Sequence, residues 1–198
     1  MKVVAERASI SKNEKVHIAL MDMSKAFDCI DRNQLLEDMH SILENDELFL
    51  VKTLLDTELS VRCGNHLSPY FKTDTGAPQG DCLSAVEFMH YLANTLKTQE
   101  PKLQQQDTLE LDMEYADDMS IVTENYQTIR NAKQDLPEVL GNRGLRMNAA
   151  KTVEFTVSRD GSKDWKKCKF LGTLLGTDED IGRRKGLALD TKEHEQLF

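Results

Sequence analysis

The sequence has no long apolar run. No stretch of about 18 apolar residues occurs in the 198 residues, so no membrane partner is expected. The N-terminal segment also lacks the apolar centre that a signal peptide needs. The four cysteines lie far apart and form no CxxC pair: Cys29, Cys63, Cys82 and Cys168. This spacing argues against a zinc site or a disulfide framework. It favours a reducing, intracellular setting, without distinguishing nucleus from cytoplasm.

Basic residues are also scarce. The net charge is −9, which does not favour a nucleic-acid partner for the chain as a whole. The charge is uneven, because residues 1–140 carry −12 and residues 141–185 carry +5. A basic flank beside an acidic body suits phosphate contact next to a metal site. A solvated surface of mixed sign explains the same counts equally well.

Hydrophobic periodicity predicts an α+β fold, with helices packed on one face of an antiparallel sheet. No element is expected in residues 1–15. The length suits one domain or slightly more. Strands are predicted at 16–23, 109–115, 119–122 and 153–157, with short paired strands at 61–73 and 169–176. Helices are predicted at 31–44, 47–59, 83–97 and 123–141, and the segment from 177 has a helical tendency.

Helical spacing also predicts which faces are buried. In the helix 123–141 the inward residues are Ile129, Ala132, Leu136, Val139 and Leu140, while Pro137 makes the last turn doubtful. In the helix 83–97 the predicted inward face is Leu83, Val86, Met89, His90, Ala93 and Leu96.

Acidic residues and a glycine-containing loop stand at the ends of these elements. Asp22 ends the first strand, and Asp117 and Asp118 form the tip of the hairpin 109–122. In an antiparallel sheet these carboxylates can lie side by side, and their mutual repulsion then requires divalent cations. A pair of Mg²⁺ ions about 4 Å apart is the arrangement used in phosphoryl transfer by polymerases and nucleases. The alternative is a solvated acidic turn, with Asp22 paired to Lys25.

Five segments carry a family resemblance in their order and spacing. They are MDMSKAFDCID, GAPQGDCLS, EYADDMSIV, GLRMNAAKT and KFLGTLLG. Together they resemble the successive palm motifs of reverse transcriptases, and most of all those of non-LTR (LINE-like) retrotransposons. The resemblance implies a polymerase palm fold over residues 16–176. Residues 1–15 would be a linker or part of the fingers, and residues 177–198 the start of a truncated thumb or connector.

The resemblance implies a role for each matching residue. Asp22 and Asp117 would bind two Mg²⁺ ions, or Mn²⁺ ions in their place, with Asp118 as the second acid of the YADD box. Lys151 would protonate the departing pyrophosphate, although an exposed lysine without a role explains it as well. Phe27 would lie beneath the sugar of the incoming deoxynucleotide, unless it is simply a core residue. Gln79 and Gly80 would position the nucleotide and the template. The primer would be gripped by Phe170, Leu171 and Gly172.

The implied reaction is RNA-directed DNA synthesis from an RNA template, a DNA primer and deoxynucleoside triphosphates. Two positions depart from the family pattern: Ala85 replaces a proline, and Glu87 replaces an apolar residue. Fingers, thumb and endonuclease segments are not recognisable, so little or no activity is expected of the isolated chain. The first alternative is a truncated or domesticated, inactive palm that acts as a binding scaffold. A metal-dependent nuclease or phosphatase ranks last, because it leaves Gln79, Gly80 and Phe27 unexplained.

Overall fold

The computed structural model describes residues 1–11, 15–78, 80, 83–97, 110–115 and 118–195. The chain divides into two compact units. The sheet unit comprises Met1–Met21, Thr108–Asn131 and Lys151–Phe198. The helical unit comprises Asp22–Asp107 and Ala132–Ala150.

Helices and antiparallel strands alternate along the chain. The helices are α1 Lys2–Ile10, α2 Arg32–Met39, α3 Asn45–Leu55, α4 Ser84–Lys97, α5 Tyr126–Gly141 and α6 Thr177–Glu195, with 3₁₀ turns at Phe27–Cys29 and Asp164–Lys167. The longer strands are β1 Val16–Asp22, β6 Glu110–Tyr115, β7 Asp118–Thr123 and β8 Val153–Val157. The short strands are β2 Glu58–Leu59, β3 Arg62–Cys63, β4 His66–Leu67, β5 Phe71–Lys72, β9 Lys169–Phe170 and β10 Thr173–Leu174.

The four longer strands form one sheet in the order β6-β7-β1-β8. Strand β1 pairs antiparallel with β8, from Val16 opposite Val157 to Leu20 opposite Val153. Strands β6 and β7 form the predicted hairpin, in which Tyr115 lies opposite Asp118. The first six residues of β1 are all buried, which explains why the segment reads as a continuous apolar run. The predicted α+β fold with an antiparallel sheet is confirmed.

Helix α1 lies where no element was expected. Its small residues Ala5 and Ala8 are buried against Ile18 of β1 and Val157 of β8. The same core cluster contains Trp165, together with Phe170 and Leu175 from the β9–β10 hairpin. The apolar contribution of α1 comes from two alanines alone, and alanines leave little periodic signal in a sequence.

Helix α4 buries a different face from the predicted one. Its buried residues are Ser84, Glu87, Phe88, Tyr91, Leu92 and Thr95, whereas Val86 and Met89 are 60% and 50% exposed. The Tyr91 ring stacks under the Arg143 guanidinium at 4.5 Å, and its hydroxyl donates to the Arg143 carbonyl oxygen at 2.7 Å. Arg143 also pairs with Asp38 of α2. Burying two aromatic rings, one of them with a satisfied hydroxyl, outweighs burying Val86 and Met89.

The other helices agree better with the sequence. All five inward residues predicted for α5 are buried, and the helix continues through Pro137 to Gly141. Helix α2 begins at its predicted cap, where the Asp31 carboxylate accepts from the backbone N–H groups of Asn33 and Gln34. It ends at Met39, earlier than expected. Within the described part of the chain, no helix combines the length and the hydropathy that crossing a membrane requires.

Candidate active site

Asp22 is held in place by Asn148. The Asn148 backbone N–H donates to the Asp22 carbonyl oxygen at 2.8 Å, and its side-chain Nδ2 donates to the Asp22 carboxylate Oδ2 at 3.1 Å. Asp22 is half-buried. A side-chain amide that donates to one carboxylate oxygen fixes the rotation of the group about its last bond.

This contact belongs to a short ladder. Met23 forms an antiparallel bridge with Met147, and the Ser24 N–H donates to the Arg146 carbonyl oxygen at 2.8 Å. Segment 146–148 therefore extends the pairing of the chain beyond the last residue of β1. The sequence suggested only a turn here, yet this turn supplies the hydrogen bonds that orient Asp22.

Phe27 begins a 3₁₀ turn that follows directly. The chain enters this turn through Lys25, which has a positive φ of 52°. The Phe27 ring is half-buried and lies 4.9 Å from the Phe88 ring of α4, centroid to centroid, at an interplanar angle of 32°. The ring is thus supported from one side by a fully buried partner.

The glycine-containing loop packs against this turn. The Gly76 N–H donates to the Ile30 carbonyl oxygen at 2.8 Å, and the Ala77 N–H donates to the Phe27 carbonyl oxygen at 2.9 Å. Gly76 has φ of +85°, and a Cβ there would lie 3.1 Å from the Asp28 Cα. The chain requires glycine at this position for its conformation and for the close backbone approach.

The end of the loop for which nucleotide contact is predicted is described only in part. Gly80 is exposed, has φ of +94°, and has open space around the position of a Cβ. The Ser84 hydroxyl at the start of α4 donates to the Pro78 carbonyl oxygen and ties the loop to the helix. Gln79 lies outside the described residues.

The acidic hairpin supplies Asp118 as the first residue of β7, where it is half-buried. Strand β7 is the neighbour of β1, which ends at Asp22, so the sequence expectation that these two strands lie side by side is confirmed. Met119 and Ile121 are fully buried and anchor β7 in the sheet. Asp117 lies outside the described residues.

The remaining predicted residues belong to the sheet unit. Lys151 is exposed in the turn before β8. In the β9–β10 hairpin, Leu171 and Gly172 form the tip with φ of 48° and 75°, the conformation of a tight two-residue turn. Phe170 is buried in the core beside Trp165. The tip, rather than the Phe170 ring, is therefore available to a partner.

Each unit offers carboxylate oxygens, the ligands that Mg²⁺ prefers. Asp22 lies in the helical unit and Asp118 in the sheet unit. Among the described residues, which leave out Asp117, no group of three or more histidine, cysteine or acidic side chains is arranged to hold a metal ion. The chemistry of these carboxylates fits Mg²⁺, and the metal-binding role predicted for Asp117 stays a prediction.

A family model for reverse transcriptase (RNA-dependent DNA polymerase) matches residues 3–175, which is most of the chain. The chain belongs to the reverse transcriptase family. The match covers the first four motif segments quoted above and all of the fifth except Gly176. A search of the curated proteins finds no match.

Solved telomerase structures share the fold of this reverse transcriptase domain. The telomerase of Candida tropicalis in complex with the TWJ fragment of telomeric RNA is 17% identical, with a TM-score of 0.67 over 87% of this chain and 30% of that chain. The apo telomerase of the same organism, truncated from its C-terminal domain, is 20% identical, with a TM-score of 0.64 over 89% and 38%. Telomerase from Candida albicans with the same RNA fragment is 17% identical, with a TM-score of 0.62 over 87% and 33%. The chain spans about a third of the length of these structures.

Two contributors to the site were not singled out from the sequence. Asn148 lies in the quoted motif GLRMNAAKT. The only indication in the sequence was an amide side chain at the end of the predicted turn. Arg32 lies in the first turn of α2 and binds the glycine-containing loop through three nitrogens. Its partners are more than 40 residues away, so no local pattern indicates them.

Proposed function

We propose that this reverse transcriptase domain copies RNA into DNA by two-metal nucleotidyl transfer and derives from a non-LTR retrotransposon. The observation that carries the proposal is the placement of Asp22. It ends a central strand next to the strand that begins at Asp118, and Asn148 orients its carboxylate. An oriented carboxylate at the end of a buried strand, in a chain of this family, is suited to holding a catalytic cation.

The proposed reaction is attack of the primer 3′-hydroxyl on the α-phosphate of a deoxynucleoside triphosphate. Asp22 and Asp117 would hold two Mg²⁺ or Mn²⁺ ions, with Asp118 beside them. When bound, such ions stabilise the charge that develops on the attacking and leaving oxygens. Asn148 keeps the Asp22 carboxylate in the rotation required for this role.

Further residues would place the substrates. The Phe27 ring would lie beneath the deoxyribose and exclude a 2′-hydroxyl, since Phe88 prevents it from moving aside. Gln79 and Gly80 would position the nucleotide against the template. Lys151 would give a proton to the departing pyrophosphate.

The proposed partners are an RNA template, a DNA primer and deoxynucleoside triphosphates. The basic flank 141–185, with its charge of +5, offers attraction to phosphates. The tip of the β9–β10 hairpin, Leu171 and Gly172, would contact the primer end, with Phe170 as its anchor in the core. The description of the family and the RNA-bound state of the C. tropicalis telomerase support an RNA template.

Single-nucleotide incorporation on a DNA-primed RNA template tests the proposal. The chain is kept in excess over the primer–template, so that one slow addition per primer is enough to detect. Incorporation by the wild type that requires Mg²⁺ or Mn²⁺ and falls about 100-fold or more in Asp117→Asn supports it. Absence of incorporation by the wild type, together with absence of joint binding of Mn²⁺ and a deoxynucleoside triphosphate, contradicts it and favours the inactive binding scaffold. Cleavage of the nucleic acid favours a nuclease.

The proposed retrotransposon origin has its own test. The order of the five motifs supports it, and a mobile element leaves dispersed copies. Hybridisation of a probe for this coding sequence to the genome that encodes it should show many loci. A single locus would contradict a mobile origin and leave the proposed chemistry unaffected.

A further inference from the structure

Arg32 forms a clamp between two segments of the helical unit. Its Nε donates to the Gly76 carbonyl oxygen at 2.7 Å, and its Nη2 donates to the Thr73 hydroxyl at 2.9 Å. Its Nη1 donates to the Thr73 carbonyl oxygen. All three guanidinium nitrogens are thus engaged by one short stretch of loop, residues 73–76. An arginine can hold two carbonyl groups at once because its donors form a rigid planar fork.

The same two segments are also joined through their backbones. Asp31 forms an antiparallel bridge with Thr75, and the N–H groups of Gly76 and Ala77 donate to carbonyl groups in the turn that begins at Phe27. Arg32 therefore completes a contact in which one segment carries the Phe27 ring. The other segment leads from Ala77 within three residues to Gly80.

We propose that Arg32 is a positioning residue that fixes the glycine-containing loop relative to Phe27 and thereby sets discrimination between deoxyribose and ribose. The second part of this inference, the discrimination between deoxyribose and ribose, rests on the proposed function. A ring that excludes a 2′-hydroxyl works only if the nucleotide is held against it, and Gly80, at the end of this loop, is proposed to help hold it. A loop displaced by about 1 Å gives the ribose room, so that ribonucleotides enter more readily.

The groove beside the clamp provides a matched control. It has a volume of about 680 Å³, and Arg32 and Lys52 both line it. Lys52 is exposed on α3 and has no part in the contacts that hold the loop. Lys52→Gln removes a positive charge from the same groove and leaves the clamp intact, so it separates loss of charge from loss of the fork.

The first measurement is amide hydrogen exchange of the chain by NMR. In Arg32→Gln the Gly76 and Ala77 amides should exchange about ten-fold faster than in the wild type, because the loop opens locally. The Ser24 and Asn148 amides should be unchanged, and Lys52→Gln should leave all four unchanged. If Arg32→Gln fails to fold, Thr73→Val removes one acceptor of the clamp and should accelerate the same two amides more weakly. Unchanged exchange at Gly76 and Ala77 in Arg32→Gln would overturn the proposal that Arg32 fixes the loop.

The second measurement is the ratio of deoxynucleotide to ribonucleotide incorporation in single turnovers. Arg32→Gln should lower this ratio about five-fold or more, Arg32→Lys should lower it less, and Lys52→Gln should not change it. A purely structural role would slow both additions equally and leave the ratio constant, which would overturn the specificity role. If the wild type neither binds nor adds a nucleotide, the proposed function fails and with it the specificity role, whereas the exchange data still decide whether Arg32 holds the loop.

Discussion

Asn148 binds Asp22 twice, once through the backbone and once through the side chain, at 2.8 and 3.1 Å. Asp22 closes the central strand, and Asn148 follows helix α5 more than a hundred residues later. The backbone bond fixes where the two residues lie, and the side-chain bond fixes how the carboxylate is turned. The position and the orientation of the proposed metal ligand therefore depend on the same residue.

Asn148→Ala should weaken metal binding more than it weakens the fold. The variant keeps the backbone hydrogen bond and loses the side-chain bond to the carboxylate. We expect affinity for Mn²⁺ in the presence of a deoxynucleoside triphosphate to fall about 10- to 100-fold. The free energy of unfolding should fall by only about 1 kcal/mol. Calorimetric titration and urea unfolding measure the two effects. Asn142→Ala, an exposed change in the same connection, should alter neither, and equal metal binding by wild type and Asn148→Ala would refute the orienting role.

Gly76→Ala should destabilise the protein more than Gly64→Ala. Both glycines have a positive φ, which costs any other residue about 1–2 kcal/mol. At Gly64 a Cβ meets nothing within 4 Å, but at Gly76 it lies 3.1 Å from the Phe27 carbonyl oxygen. The backbone cannot yield as a side chain does, so overpacking adds about 1–3 kcal/mol at Gly76. Urea unfolding of the two variants gives the comparison, and equal losses would contradict the close approach of loop and turn.

His17 should make the protein less stable in mild acid. Burial, and secondarily the charge of Lys15, lower the pKa of His17 from 6.5. Its Nδ1 hydrogen-bonds with the Thr156 hydroxyl at 2.8 Å, and its ring packs against Tyr126, whose hydroxyl donates to Glu154. The unfolded chain takes up a proton on this histidine more readily than the folded protein. The stability present above pH 6.5 is therefore lost progressively as the pH falls below that value.

The measurement for His17 is the free energy of unfolding between pH 7.5 and 5. His17→Gln cannot titrate at this position, so the variant should lose less stability than the wild type over the interval. His66→Gln, at an exposed site, should follow the wild type. Parallel curves for the wild type and His17→Gln would show that the buried histidine does not titrate differently on folding.

Asp180 should hold the β9–β10 hairpin to helix α6. Its carboxylate accepts from the Leu174 backbone N–H at 2.8 Å, from Arg184 at 2.7 Å and from Arg183 at 3.3 Å. The Leu174 bond, followed by the Arg184 bond, lowers the pKa of Asp180 to about 2. This contribution to stability is present above pH 3.8 and is lost as the pH falls from 3.8 towards 2.

Asp180→Asn should therefore lower the melting temperature at pH 7, and the difference from the wild type should shrink between pH 4 and pH 2. The exposed neighbour Asp178 also lies in the first turn of α6, so Asp178→Asn removes a similar charge without the three bonds. An equal loss of melting temperature in both variants would assign the effect to helix charge rather than to the hairpin contact.

The sequence predicted correctly the buried face of a helix where regularly spaced aliphatic residues form that face. Helix α5 is the best example, because the five inward residues predicted for it are all aliphatic and regularly spaced. In α4 the prediction was wrong because Val86 and Met89 compete with Phe88 and Tyr91, and the choice depends on Arg143 in a distant segment. Hydrophobic periodicity depends only on the spacing of apolar residues within one helix, so it does not indicate a partner in a distant segment.

The candidate site was also predicted only in part from the sequence. The five motifs identified the family and located Asp22, whose strand lies next to β7 as expected. The roles assigned to all the predicted site residues, Asp22 and Asp117 included, stay predictions. Asn148 and Arg32 act through contacts with residues far away in the chain, and only the folded protein brings these partners together.

The most direct test of the account is a calorimetric titration of the chain with Mn²⁺ in the presence of a deoxynucleoside triphosphate. Wild type, Asp22→Asn and Asp160→Asn are compared, since Asp160 is an exposed aspartate in the loop after β8. The account predicts that the wild type and Asp160→Asn bind metal and nucleotide together and that Asp22→Asn does not. Metal binding by Asp22→Asn equal to that of the wild type, or no binding by the wild type, would contradict it.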